Sequence, residues 1–128
     1  MKLFGLFLIT IGISWSIEIG SEAPTFAAKD TNGEIHRLAD YKGKIVVLEW
    51  KNHGCPYVVK HYATDNMQAL QRELVDKGVV WFSILSSAPG KQGHVSTEEA
   101  NRIIADEKSA ASAALMDVAG VIGRRYSA

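Results

Sequence analysis

The stretch IVVLEWKNHGCPYVVKHY, residues 45–62, decides the fold. Its first six residues are mostly apolar and partly β-branched, as a buried central strand requires. Beyond it, Val58, Tyr62, Met67, Leu70 and Leu74 recur near a helical period, with Lys60, Asp65, Gln68, Gln71 and Arg72 between them. Gly78 ends that helix in the way glycine often does. The turn between strand and helix holds Cys55, the only cysteine in the chain.

That turn suits an anion. The first N–H groups of a helix lack internal partners, and with the helix dipole they favour negative charge, a thiolate included. Pro56 fits the first helical turn, where its missing N–H costs nothing. Gly54 leaves the space beside the sulfur open to a substrate. Lys51, His53 and Lys60 are sources of positive charge nearby. A lone cysteine is most often a small buried hydrophobe. Gly-Cys-Pro at a strand-to-helix turn is uncommon for a core position and favours a reactive thiol. Zinc held by Cys55, His53 and His61 is the competing reading. Positions 55 and 61 face different sides of a helix and no second cysteine pair exists, so no metal is expected. His61 reads as a surface or edge residue, and His36 and His94 as solvated. The Gly-Lys pair within residues 89–93 lacks the spacing of a phosphate loop.

Working outward, Asp30-Thr31-Asn32-Gly33 predicts a tight turn between short strands at 25–28 and 34–37. Tyr41-Lys42-Gly43-Lys44 is a second turn. Residues 79–85 predict another buried strand, followed by the loop SSAPGKQGHV. Ser96-Thr97-Glu98-Glu99 predicts a capping box opening a helix with Ala100, Ile103 and Ile104 on one face. A short strand and turn at 114–117 and a short helix at 120–126 follow. Strands alternating with helices imply right-handed crossovers and a parallel sheet between helical layers. With two long strands before Ala128, the sheet is expected to lack its last strands.

The chain has 128 residues, 47% of them apolar and 22% charged, enough for one domain with a core. Its formal net charge is zero, which does not suit nucleic acid or an anionic membrane surface. Residues 1–16, with Lys2, an apolar run over 3–13 and Ser14 and Ser16, have the layout of a secretory signal peptide. The run is too short for a membrane span, so membrane attachment is expected only through an uncleaved leader. The expected mature domain is 17–128, exported to a periplasm or cell envelope, an oxidising place where one cysteine cannot form an internal disulfide.

Several motifs resemble the peroxiredoxin and thioredoxin-like redoxins with an AhpC/TSA-type domain. They are Gly20-Ser21-Glu22-Ala23-Pro24-Thr25-Phe26, the turn at 30–33, residues 38–44, and Asn52-His53-Gly54-Cys55-Pro56-Tyr57-Val58 with Lys60-His61-Tyr62. Asn66-Met67-Gln68 and residues 86–93 add a likeness to an exported bacterial subgroup. The resemblance runs from Gly20 to Tyr126 and implies a thioredoxin-like α/β fold, a central mixed sheet flanked by helices with an N-terminal hairpin. It also implies that a proline loop and two more strands would follow Tyr126.

Two departures bear on the chemistry. Val58 stands where thioredoxins carry their second cysteine, which excludes a self-contained dithiol cycle. Leu48 and Asn52 stand where peroxiredoxins carry proline and the hydroxyl that orients peroxide, leaving Asn52 to hydrogen-bond in its place. Arg124 and Arg125 do not match the late peroxiredoxin arginine. The resemblance implies a thiol-based oxidoreductase with Cys55 as catalytic thiol and Asn52, Gly54 and Pro56 shaping its site, with no cofactor. The first expectation is a Cys55 thiolate reducing peroxide, regenerated by an external thiol. The alternatives are thiol–disulfide exchange with a partner protein and a binding module without turnover.

Overall fold

The structure, a computed structural model, describes residues 17–128; the leader expected at 1–16 lies outside them. Strands β1 (Ala27–Lys29) and β2 (Ile35–Arg37) form an antiparallel hairpin. Its turn is closed by Asp30 N–H donating to Glu34 O at 2.8 Å, with Gly33 at φ +90° where a side chain would be strained. A short 3-10 turn (Leu38–Tyr41) leads to β3 (Val46–Trp50). Helices α1 (Pro56–Ala63) and α2 (Asn66–Asp76) carry the chain to β4 (Val80–Leu85). Helix α3 (Thr97–Asp106), β5 (Ala113–Met116) and α4 (Val121–Arg125) complete it.

Strands β3, β4 and β5 form a parallel sheet in that order. The hairpin reaches the outer side of β5 through an antiparallel bridge between Asp30 and Leu115, so the β-framework as a whole is mixed. One sheet face presents Val46, Leu48, Trp50, Val80, Phe82, Ile84 and Leu115, which pack with Phe26, Ile122 and Tyr126 into the apolar core. The other face, with Glu49, Trp81 and Ser83, lies against α1, α2 and α3.

Three expectations need correction. The strand predicted at 45–50 is an outer strand among the described residues, and every residue of β3 is only half-buried, because it has a ladder partner on one side alone. The buried central strand is β4. The single helix predicted from Val58 to Leu74 is two. The chain breaks at Thr64 and Asp65, where Asp65 adopts a left-handed φ of 58° and pairs with Arg72. The predicted apolar face of the second part is also displaced. Leu70 is exposed, while Gln68 and Gln71 are buried.

The cap at Ser96 forms as expected on one side, its Oγ accepting the Glu99 N–H at 3.2 Å. At the other end of the molecule, buried Asp117 accepts the N–H groups of Ile122 and Gly123 and so caps α4. No described helix is long and apolar enough to cross a membrane.

Candidate functional site

Cys55 is the N-cap of α1, in extended backbone, one residue before Pro56 in the first helical turn. Its carbonyl accepts the Val59 N–H at 2.9 Å, the first bond of the helix. Its own N–H donates to Asn52 O at 3.0 Å, closing a turn over Asn52, His53, Gly54 and Cys55. The thiol is free and partly exposed. It sits beyond the C-terminal end of β3, the end of a parallel sheet where loops from neighbouring strands converge. Two and four residues further on, Tyr57 is 80% exposed and Val59 is also exposed.

The structure places Asn52, Gly54 and Cys55 in this one turn, with Pro56 directly after it at the start of α1. Asn52 Oδ1 accepts the Gly54 N–H at 3.0 Å. Its Nδ2 donates to Gln92 Oε1 at 2.7 Å and lies 3.4 Å from Gln92 O. The amide expected to serve a peroxide is thus engaged by backbone and by a second loop.

The charges around the turn are not arranged as the sequence implied. Lys51 does not face the thiol. Its side chain is buried, paired with Glu107, and its Nζ lies 4.0 Å from the centre of the Tyr62 ring. Lys60 is exposed. His53 borders a narrow crevice under α3 with Val95, Ile103 and Ile104. His61 takes a hydrogen bond from Asn66 Nδ2 at 2.9 Å and is not directed to a shared ligand site with Cys55.

A buried polar network runs beneath α1 and α2. The Glu49 carboxyl accepts hydrogen bonds from Tyr62 Oη at 2.8 Å, Trp81 Nε1 at 2.8 Å, Gln71 Nε2 at 3.1 Å and Ser83 Oγ at 3.2 Å. Burial, followed by the neighbouring Glu49 charge, pushes the Tyr62 hydroxyl well above its ordinary range and keeps it a donor. Gln71 Oε1 takes the N–H of Ala110 at 2.9 Å, and Gln68 Nε2 donates to Glu107 O at 2.7 Å. Sequence reasoning missed Glu49, Gln68, Gln71 and Glu107. A trace existed in Glu49, a charged residue inside an otherwise apolar strand, which needs partners if it is half-buried.

The histidines read as solvated are both engaged. Asp30 accepts from His36 Nε2 at 3.2 Å, so His36 Nδ1 accepts the Tyr41 hydroxyl at 2.6 Å. Among the described residues, Asp30, Glu34 and His36 hold their potential metal-ligand atoms within 4.8 Å of one another. Both His36 nitrogens are already spoken for by Asp30 and Tyr41. His94 Nδ1 donates to Ser87 O at 3.0 Å and braces the loop between β4 and α3.

The family model described as AhpC/TSA matches residues 19–127. The thiol-disulfide oxidoreductase ResA of Bacillus subtilis is 36% identical over 70 residues, which cover 49% of this chain and 39% of ResA. The match therefore spans about two fifths of that relative's length. The solved thioredoxin domain of a thiol-disulfide oxidoreductase from Bacteroides vulgatus superposes with a TM-score of 0.63 at 22% identity, covering 88% of this chain and 76% of that one. A secreted Mycobacterium tuberculosis disulfide oxidoreductase, described as homologous to Escherichia coli DsbE, gives a TM-score of 0.61 at 19% identity, covering 79% and 66%. At these identities the two solved structures establish a shared thioredoxin-like fold.

Proposed function

Because the chain belongs to the AhpC/TSA family, we propose that it is a thiol oxidoreductase whose reaction is thiol–disulfide exchange at Cys55 with a disulfide-bearing partner protein. The observation that carries the reading is the placement of the sole cysteine, partly exposed at the N-terminus of α1 with Gly54 before it and Pro56 after it. The likeness to proteins named as thiol-disulfide oxidoreductases supports exchange over the peroxide reading. So does the engagement of Asn52, which leaves its amide oxygen on Gly54 rather than on a peroxide.

In the proposed reaction the Cys55 thiolate attacks one sulfur of the partner's disulfide. A Cys55–partner disulfide forms, and the partner's other sulfur leaves as a thiolate. An external thiolate then attacks the Cys55 sulfur and releases the reduced partner. A second external thiolate attacks the external sulfur now bound to Cys55, giving an external disulfide and the Cys55 thiolate. Two electrons pass from two external thiols to the partner, and each thiolate takes up or gives back a solvent proton. The signal-peptide-like layout of residues 1–16 and the likeness to a secreted oxidoreductase support a site of action in the periplasm or cell envelope, with 17–128 as the working domain.

The test is turnover of a protein disulfide, insulin, with dithiothreitol as external thiol. The protein is expected to accelerate it and Cys55→Ser to abolish the acceleration. Absence of acceleration together with rapid consumption of hydrogen peroxide would overturn exchange in favour of peroxidase chemistry.

A further inference from the structure

Gln92 lies in the loop over residues 86–94 that leaves the C-terminal end of β4. That loop is internally braced. Lys91 N–H donates to Ala88 O at 3.0 Å, His94 N–H to Lys91 O at 3.1 Å, and the His94 ring to Ser87 O. Its tip meets the turn that carries Cys55. The two loops are in close contact, and glycine is needed on one side of it, at Gly93, where φ is +85°. A Cβ on Gly54 would lie 2.5 Å from Gln92 Nε2, and a Cβ on Gly93 would overlap the Asn52 amide.

An asparagine amide has one accepting and one donating end. Asn52 Nδ2 faces the loop, donating to Gln92 Oε1 at 2.7 Å and lying 3.4 Å from Gln92 O, a backbone carbonyl that can only accept. That leaves Asn52 Oδ1 facing the turn, where it takes the Gly54 N–H at 3.0 Å. The same turn is closed by the Cys55 N–H on Asn52 O. The path from Gln92 to the backbone of Cys55 therefore runs through one side chain with a single allowed orientation.

We propose that Gln92 is a positioning residue for Cys55, acting through Asn52 to hold the Asn52–Cys55 turn in the form that presents the thiol. The proposal rests on Cys55 being the exchanging thiol. It adds a residue from a second loop to the site, one that approaches the turn from the side of Gly54.

The test compares the full chain with Gln92→Ala, Asn52→Ala and the double variant. Each is reacted with oxidised glutathione, the mixed disulfide being followed by mass, and with iodoacetamide across pH. Each single variant is expected to slow mixed-disulfide formation about fivefold, and the double variant to be no slower than Asn52→Ala, the non-additivity of residues acting as one unit. The iodoacetamide profiles of the two single variants are expected to coincide. Gln92 is exposed, so its loss is expected to leave the thermal midpoint unchanged. Wild-type rates in Gln92→Ala, losses that multiply in the double variant, or a rate loss that tracks a lowered midpoint would each overturn the proposal. Failure of the unsubstituted chain to exchange with oxidised glutathione would overturn the exchange reading itself, and it is seen before any variant is made.

Discussion

Gly54 and Gly93 face each other's loops, yet the same substitution should act on them differently. A methyl group on Gly54 meets first the end of the flexible Gln92 side chain, which can swing away. Gly54→Ala is therefore expected to change stability by less than about 1 kcal/mol while slowing reaction of Cys55 with oxidised glutathione. Gly93 sits at φ +85° and abuts the Asn52 amide, so Gly93→Ala adds backbone strain to a clash. It is expected to cost more than about 1 kcal/mol in urea unfolding. Lys51 and Glu107 show a similar asymmetry. Lys51 is buried, whereas the Glu107 side chain keeps 21% of its exposure. Glu107→Leu strands a buried ammonium group and is expected to cost about 3 kcal/mol or more. Lys51→Met leaves a carboxylate that water still reaches and is expected to cost far less. Equal costs for the two would show that the pair's environment is not as uneven as the structure makes it.

Among the elements, the hairpin is tied to the rest by Asp30, whose carboxylate is almost wholly buried. Burial raises its pKa, but the hydrogen bond from His36 and the N–H groups of Asn32 and Glu34 outweigh burial and hold the carboxyl below its ordinary range. A depressed value in the folded state means that the unfolded chain takes up its proton first as pH falls. The stabilisation is thus complete above the unfolded value of about 3.9 and is lost as pH drops through the lower folded one. Urea unfolding is expected to weaken between about pH 5 and pH 2, and Asp30→Asn to flatten that dependence. An unchanged slope would show that Asp30 is not the group being titrated. The sheet offers a second measurement. β3 has one ladder partner among the described residues, and β4 has two. Hydrogen exchange should therefore protect the β4 amides most, with faster exchange along the outer side of β3.

At the scale of the whole molecule, Phe82 ties the layers together. It is fully buried on β4 and makes edge-on contacts with His36 and Tyr41, ring centres 5.2 Å away in both cases. Phe82→Ala is expected to cost about 3–5 kcal/mol and to loosen the hairpin along with the core. Survival of native near-ultraviolet circular dichroism at an unchanged midpoint would contradict this. Much of the architecture was readable before any coordinates. The turn at Asp30 to Gly33, the Ser96 cap, the strand at 80–85 and the placement of Cys55 at a helix start depend on residues within a few positions of one another, where backbone sterics and local hydrogen bonds decide. Periodicity could not say that β3 lies at the outside of the sheet, because apolar composition is the same for a strand with one neighbour or two. Nor could it say that Gln68, Gln71 and Lys51 turn inward. Polar side chains are buried only where particular partners await them, and those partners, Glu49 and Glu107, come from distant elements. The meeting of Asn52 with Gln92, 40 positions away, has the same origin. The chain by itself determined where the thiol lies in its turn; the parallel pairing of β3 with β4 decided what stands beside it, since that pairing carries the two loop-bearing strand ends to the same edge of the sheet.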